Sequence, residues 1–162
     1  MATSSTATEL WETIAAEAAR ESRLWGEALR PEGEREAEPV FSPLGDPRFA
    51  LGLETIYEGY LLHYGLPRLF SPVDEDTALL LGDYLYAHGL VRIAEAGPVE
   101  AVRDLAALIS LCAQLRADGL PGDGEAWAST AATLGRGEDA RAAWSPGPEA
   151  ERALASHRLR VQ

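Results

Sequence analysis

Residues 79–90, LLLGDYLYAHGL, decide the fold class of this chain. They lie in a longer helical pattern that opens at residues 71–74 and runs to about Ala96. Apolar side chains surround most of this helix, which is typical of a helix buried at the centre of a domain. β-Branched alternation, the signature of strands, is sparse elsewhere. The sequence therefore predicts an all-α fold built around this central helix.

Helical patterns continue on both sides of the central segment. Asp46 and Pro47 have the N-cap and first-turn positions of a helix that ends near Tyr64. We predict one domain, a helical bundle of about four long helices plus short C-terminal helices. Its parts are an N-terminal helix within residues 1–29, a solvated acidic Pro-rich linker at 30–46, a three-helix core at 47–118, and short helices and a tail at 119–162.

The composition excludes several classes of protein. The 162 residues include 26 acidic side chains and 14 basic ones, a formal net charge of −12. All the basic residues are Arg, a bias typical of GC-rich bacterial genomes. This charge argues against binding to nucleic acid or to anionic membranes. No apolar run is long enough to span a bilayer and no signal peptide is evident, so we expect a cytoplasmic protein.

Asp83 is the most unusual polar residue of the predicted central helix. On a helical wheel it shares a face with Asp76, Leu80 and Ala87, away from the other polar side chains. We therefore expect Asp83 to face the core, where an ionised carboxylate needs a partner. The structural interpretation is that Asp83 is a buried carboxylate that accepts hydrogen bonds. The functional one pairs Asp76 with Asp83 as metal ligands or as acid and base.

Other candidate groups favour structural interpretations. Glu54 and Glu58 lie one turn apart with His63 following, but the spacing of a di-iron bundle is absent, so we expect a solvated face. Cys112, the single cysteine, lies on an apolar stripe and is predicted to be a core residue. We predict no catalytic residue, no metal site and no cofactor. Trp127 and Trp144 lie in short C-terminal helices and are predicted to contact a partner protein.

Residues 79–90 resemble a helix of the polyprenyl diphosphate synthases, in which a Leu-Gly-Asp-Tyr-Leu-like segment packs inside an all-helical isoprenoid-synthase fold. The preceding segment, LETIYEGYLLHY at 53–64, resembles the family helix that leads into the first aspartate-rich motif. The resemblance covers about residues 48–118. It implies an isoprenoid-synthase-like core.

The same resemblance implies a loss of catalysis. The family carries Asp-Asp-x-x-Asp where this chain reads His63-Tyr64-Gly65-Leu66-Pro67, so the magnesium ligands are missing. No second aspartate-rich motif follows Asp118. The chain would then be a degenerate, shortened, non-catalytic relative.

Three functions remain open on the sequence alone. The first is a non-catalytic subunit that pairs with another protein or with itself, through the short C-terminal helices and residues 31–46. The second is a protein that binds an apolar, isoprenoid-like small molecule in a pocket near Tyr57, Tyr60, Tyr84 and Tyr86. The third is an enzyme of unrecognised type, centred on Asp76 and Asp83.

Overall fold

The computed structural model describes residues 2–161, with side chains described from residue 8 onward. Within that range the chain forms eight α-helices and no β-strand, which confirms the predicted all-α class. The helices are α1 (Ala2–Glu21), α2 (Arg23–Ala28), α3 (Ala50–Tyr64), α4 (Glu75–Ala96), α5 (Val99–Ala117), α6 (Asp123–Ala132), α7 (Gly137–Ala143) and α8 (Pro148–Arg160). None of these described helices is long and apolar enough to cross a membrane.

The central helix is α3. All of its residues from Gly52 to Leu62 are buried. One apolar cluster joins α3 to α5, α6 and α8. A second cluster joins its end to α1, α2 and the first half of α4. The prediction that α4 is the buried central helix is therefore wrong, because α3 occupies that place and α4 keeps one face outward.

Glycines bring α3 and α4 into close contact. A Cβ atom added at Gly59 would lie 2.9 Å from the carbonyl oxygen of Gly82 and 3.2 Å from Cβ of Leu85. A Cβ atom at Gly89 would lie 2.3 Å from Cγ1 of Ile56. Glycine in a helix interior costs about 1 kcal/mol relative to alanine, and the close approach of the two helices is the compensating gain.

The N-terminal helix is interrupted. One N-terminal helix was expected within residues 1–29, but α1 ends at Glu21 and α2 begins at Arg23. Ser22 has an extended backbone, and its hydroxyl accepts a hydrogen bond from the Leu24 amide at 3.1 Å. This side-chain cap competes with the helical backbone, which is the usual behaviour of serine.

Residues 30–46 are not a fully solvated linker. Val40 and Phe41 are buried, and the Phe41 ring stacks on Trp127 with centroids 5.6 Å apart. The expectation of a solvated segment holds for the acidic part before them and is wrong for these two residues. Asp46 does cap the following turn as predicted, because its carboxylate accepts from the Arg48 amide at 2.9 Å.

The short C-terminal helices form as predicted. The least buried of them, α7, is attached through Asp104 of α5. The two carboxylate oxygens of Asp104 accept from the Gly135 amide at 2.9 Å and from the Arg141 guanidinium at 3.0 Å.

Replacing Gly59 with alanine tests the close approach of α3 and α4. The new methyl would meet backbone of α4, and overpacking of this kind costs about 1–3 kcal/mol, beyond the helix-propensity gain. We expect Gly59→Ala to lower the free energy of unfolding, measured by urea denaturation. Gly26→Ala is the matched control, since its added Cβ would meet Ala19 at an ordinary 3.5 Å. Equal stability of the two variants would contradict the close approach.

Candidate functional site

A buried ion triad lies at the centre of the molecule. Glu54 and Glu58 project from one side of α3 and face Arg68, which follows the helix in the loop to α4. Nη1 of Arg68 lies 2.6 Å from Oε2 of Glu54, and Nε of Arg68 lies 3.0 Å from Oε2 of Glu58. All three side chains are buried. The expectation that the two glutamates form a solvated face is wrong.

Backbone amides complete the coordination of both carboxylates. Oε1 of Glu54 accepts from the amides of Val40 and Ser42 at 3.2 and 3.1 Å. Oε1 of Glu58 accepts from the amides of Arg68 and Leu69 at 2.8 and 2.7 Å. The triad thereby ties two loops to α3. It satisfies the requirement that buried charges be paired and hydrogen-bonded.

Aromatic rings enclose the guanidinium. The central carbon of Arg68 lies 4.3 Å from the ring centroid of Trp11 and 5.0 Å from that of Tyr57. Burial alone would lower the pKa of Arg68, but Glu54 and Glu58 hold it above its ordinary value. The guanidinium is therefore a permanent cation committed to these partners. The triad is a structural element that links α1, α3 and the flanking loops.

A second polar cluster joins four helices. Asp123 of α6 accepts hydrogen bonds from Tyr60 of α3 and Arg116 of α5 through its Oδ2 atom. Nε2 of His157, from α8, lies 3.4 Å from the same oxygen. Nδ1 of His157 lies 2.9 Å from the hydroxyl of Tyr57. We refer to these five residues as the Asp123 cluster.

Electrostatics hold Asp123 ionised and the hydroxyls of Tyr57 and Tyr60 neutral. Burial would raise the pKa of Asp123, but His157, Tyr60 and Arg116 outweigh it and hold the pKa well below its usual range. Burial raises the pKa of both Tyr57 and Tyr60. An ionised carboxylate thus accepts from neutral phenol and charged guanidinium donors. The cluster combines groups used in acid–base chemistry, yet each of them is bound to another member.

Asp83 does not face the core. Its side chain is 66% exposed, and Oδ1 lies 3.2 Å from Nε2 of His63. Burial, opposed by Asp83, lowers the pKa of His63. Asp76 is exposed as well. Asp83 follows Asp76 by seven positions of the helix, a rise of about 10.5 Å, so the two carboxylates do not form the acid–base or metal pair that was considered.

The four tyrosines do not surround one space. Tyr57 and Tyr60 stack on each other in the core, with centroids 5.8 Å apart. Tyr84 instead packs on Trp25 of α2 and on His88, at 5.8 and 5.5 Å. Tyr86 packs on the ring of His63 at 5.0 Å. The four rings therefore do not converge on one shared space, and the expected pocket near them stays a prediction.

Trp127 and Trp144 have different environments. Trp127 is buried against Phe41, Tyr57 and Tyr60, so its predicted role as a partner contact is wrong. Trp144 is half-buried in the wall of a shallow cavity of about 360 Å³ beside Arg141 and Leu154. Cys112 is buried as predicted, and burial raises its pKa to about 12. Among the described residues no three His, Cys, Asp or Glu side chains are grouped to hold a metal ion.

The outward face of α4 is apolar. Leu79, Leu80 and Val91 are 54%, 55% and 52% exposed, and Ala87 and Ala94 lie exposed with them. We call these five residues the α4 face. Large contiguous apolar patches on a surface typically mark interaction sites.

The charges along α4 are unevenly placed. Its two basic side chains, His88 and Arg92, both turn to Glu17 of α1; Nε2 of His88 lies 2.8 Å from Oε2 of Glu17, and Arg92 contacts the same oxygen. His88 and Arg92 hold the pKa of Glu17 below its ordinary value. Exposed carboxylates lie on α4 among and beside these residues, those of Asp76, Asp83 and Glu95.

Comparison with known proteins gives no relative: no family model, curated protein or solved structure matches this chain.

Removing Arg68 tests the ion triad. Arg68→Met leaves two buried carboxylates without their cation, and breaking a buried pair costs about 3–5 kcal/mol. The triple variant Arg68→Met, Glu54→Gln, Glu58→Gln should recover part of this loss because no unpaired charge remains. Urea denaturation followed by circular dichroism measures both. As a control, Arg23→Met removes an exposed pair with Glu27 and should change stability by less than about 1 kcal/mol. An equally small effect of Arg68→Met would contradict a structural role.

The Asp123 cluster predicts a pH dependence of stability. The folded pKa of Asp123 is depressed, so its stabilising contribution is present above the unfolded pKa near 3.8 and is lost as the pH falls towards the folded pKa. We expect the free energy of unfolding to fall less steeply between pH 5 and pH 2 in Asp123→Asn than in the parent protein. Asp118→Asn, at an exposed aspartate of α5's C-terminus, should keep the parental slope. Identical slopes in all three proteins would refute the assignment.

Proposed function

We propose that this chain is a non-catalytic helical subunit that acts through protein–protein contacts. The observation that carries this proposal is the α4 face, where three large aliphatic side chains lie about half exposed on one regular helix. Exposed leucines scattered singly are ordinary. Five exposed apolar residues on one side of a single helix need a different explanation, and burial against a partner supplies one.

The rigid anchoring of α4 supports the same proposal. The glycine contacts with α3 hold one side of the helix, and the contacts of His88 and Arg92 with Glu17 hold another. The α4 face is thus presented as a preformed surface. Pre-organisation favours binding because less conformational entropy is lost on association.

The isoprenoid-synthase-like core is a finer part of this proposal. It rests on the resemblance of residues 53–64 and 79–90, which lie in α3 and α4. A synthase ancestor that lost its aspartate-rich motifs and kept its helix packing would leave a scaffold of this kind. We further propose that such a subunit acts in the cytoplasm.

Substitutions at two neighbouring leucines of α4 distinguish a role in folding from a role in binding. Leu81 is fully buried whereas Leu80 is exposed, so Leu81→Ala should cost about 2–5 kcal/mol and Leu80→Glu less than about 0.5 kcal/mol. Both values come from urea denaturation. A large loss of stability in Leu80→Glu would show that the α4 face serves the fold instead of a partner.

Photo-crosslinking in the cells of origin tests the contact itself. A photoreactive residue in place of Ala87 should give a discrete adduct of higher mass, and Leu80→Glu in the same chain should abolish it. The same residue in place of exposed Glu151 on α8 serves as the control and should give no such adduct. Equal labelling from both positions, or persistence of the adduct in Leu80→Glu, would contradict the proposed function.

A further inference from the structure

The charges beside the α4 face identify the kind of partner it fits. We propose that its occupant is an amphipathic helix of a different protein, with Lys or Arg residues along the edges of its apolar stripe. This inference rests on the proposed function and adds the chemistry of the partner. Three observations carry it: the spacing of the apolar residues, the sign of the exposed charges beside them and the contacts of the two basic side chains of α4.

The spacing of the α4 face matches a helix. Leu80, Ala87, Val91 and Ala94 follow one another at seven, four and three residues, the intervals that keep side chains on one side of a helix. Residues 80–94 extend over about 21 Å at 1.5 Å per residue. Alanines alternate with larger side chains along this line, so a second helix can lie close to it in a shallow crossing. A partner segment of about four turns would cover the face.

The flanking charges select a basic partner. At 100° per residue Asp83 lies between Leu79 and the line from Leu80 to Ala94, and Asp76 lies at the N-terminal end of that line. Glu95 lies on the opposite side of the line, and all three carboxylates are exposed. Arg92 and His88 are held by Glu17, so neither neutralises these carboxylates. Opposite charges across an interface accelerate association and reject wrong partners. Lys or Arg side chains next to the apolar stripe of the partner would meet the three carboxylates.

The same charges disfavour a second copy of this chain. In a two-fold dimer one patch meets itself, so carboxylates of the α4 face would be brought towards the carboxylates of its copy. Each chain also carries a formal net charge of −12. Anionic lipid surfaces are disfavoured for the same electrostatic reason. A positively charged helix of another protein satisfies both the apolar and the electrostatic requirement.

Two designed peptides of 18 residues test the inference against the full chain. Both have the same Leu/Ala apolar stripe; one carries Lys along the edges and the other carries Glu. Fluorescence anisotropy with labelled peptides should show at least ten-fold tighter binding of the Lys peptide at 50 mM NaCl. The difference should shrink at 500 mM NaCl because salt screens exposed charges. Leu80→Glu should remove binding of the Lys peptide.

Matched charge variants separate the α4 face from the net charge of the chain. The variant Asp76→Asn, Asp83→Asn, Glu95→Gln should weaken binding of the Lys peptide at least five-fold. The control Glu32→Gln, Glu34→Gln, Glu151→Gln removes the same charge at exposed sites elsewhere and should leave binding unchanged. Equal weakening by both variants, or equal binding of both peptides, would overturn the inference.

Other occupants give different results. Concentration-dependent dimerisation in analytical ultracentrifugation, abolished by Leu80→Glu, would replace the basic helix with a second copy and would leave the proposed function intact. Binding to phosphatidylglycerol vesicles that requires Leu80 would overturn the inference in favour of a membrane. If the Lys peptide fails to bind and Ala87 crosslinks to nothing in cells, the proposed function itself fails.

Discussion

The buried cation of Arg68 is the interaction on which the rest of the structure depends. A guanidinium in the protein interior is tolerated only when every donor has a partner, and here Glu54, Glu58 and the Glu38 carbonyl supply them. Satisfying one side chain therefore fixes the path of the chain on both sides of α3. The loop before α3 is held by amides bound to Glu54, and the loop after it by amides bound to Glu58. Trp11 covers the guanidinium and brings α1 into the same arrangement.

The central position of α3 determines which face of α4 is buried and which is left at the surface. Loops and other helices enclose the remaining sides of α3, so α4 packs on it through one face only. Gly82 and Gly89 of α4 and Gly59 of α3 lie at this contact. The face of α4 turned away from α3 then has no further helix of the described chain to cover it. Its apolar residues remain at the surface for this geometric reason. The exposure of the α4 face thus follows from the packing around α3 and Arg68, although Arg68 itself lies in the loop before α4.

Helices were predictable from the sequence because their signals are local, and the environments of single residues were not. Asp46 caps the turn that leads into α3, as predicted. Asp83 was misplaced because an apolar helix face has the same composition whether it meets the core or a partner. The role of Arg68 left no pattern to detect: one Arg in a Gly/Pro loop becomes a core residue only through contacts ten or more positions away. Trp127 was missed for the same reason, since Phe41 comes from a segment whose acidic neighbours suggested solvent.

The positions of several arginines help to explain why acidic side chains predominate on the surface of this chain. Four arginines form ion pairs within the fold: Arg68 with Glu54, Arg92 with Glu17, Arg116 with Asp123 and Arg141 with Asp104. Each of these pairs joins different parts of the chain, so these four arginines stabilise the fold. Carboxylates are left to dominate the surface, including the edges of the α4 face. Acids beside an apolar stripe oppose pairing of the stripe with itself through like-charge repulsion, and under the proposed function they would complement a basic partner helix. The pairs that stabilise the fold and the acidic charge beside the α4 face are then consequences of the same distribution of charge.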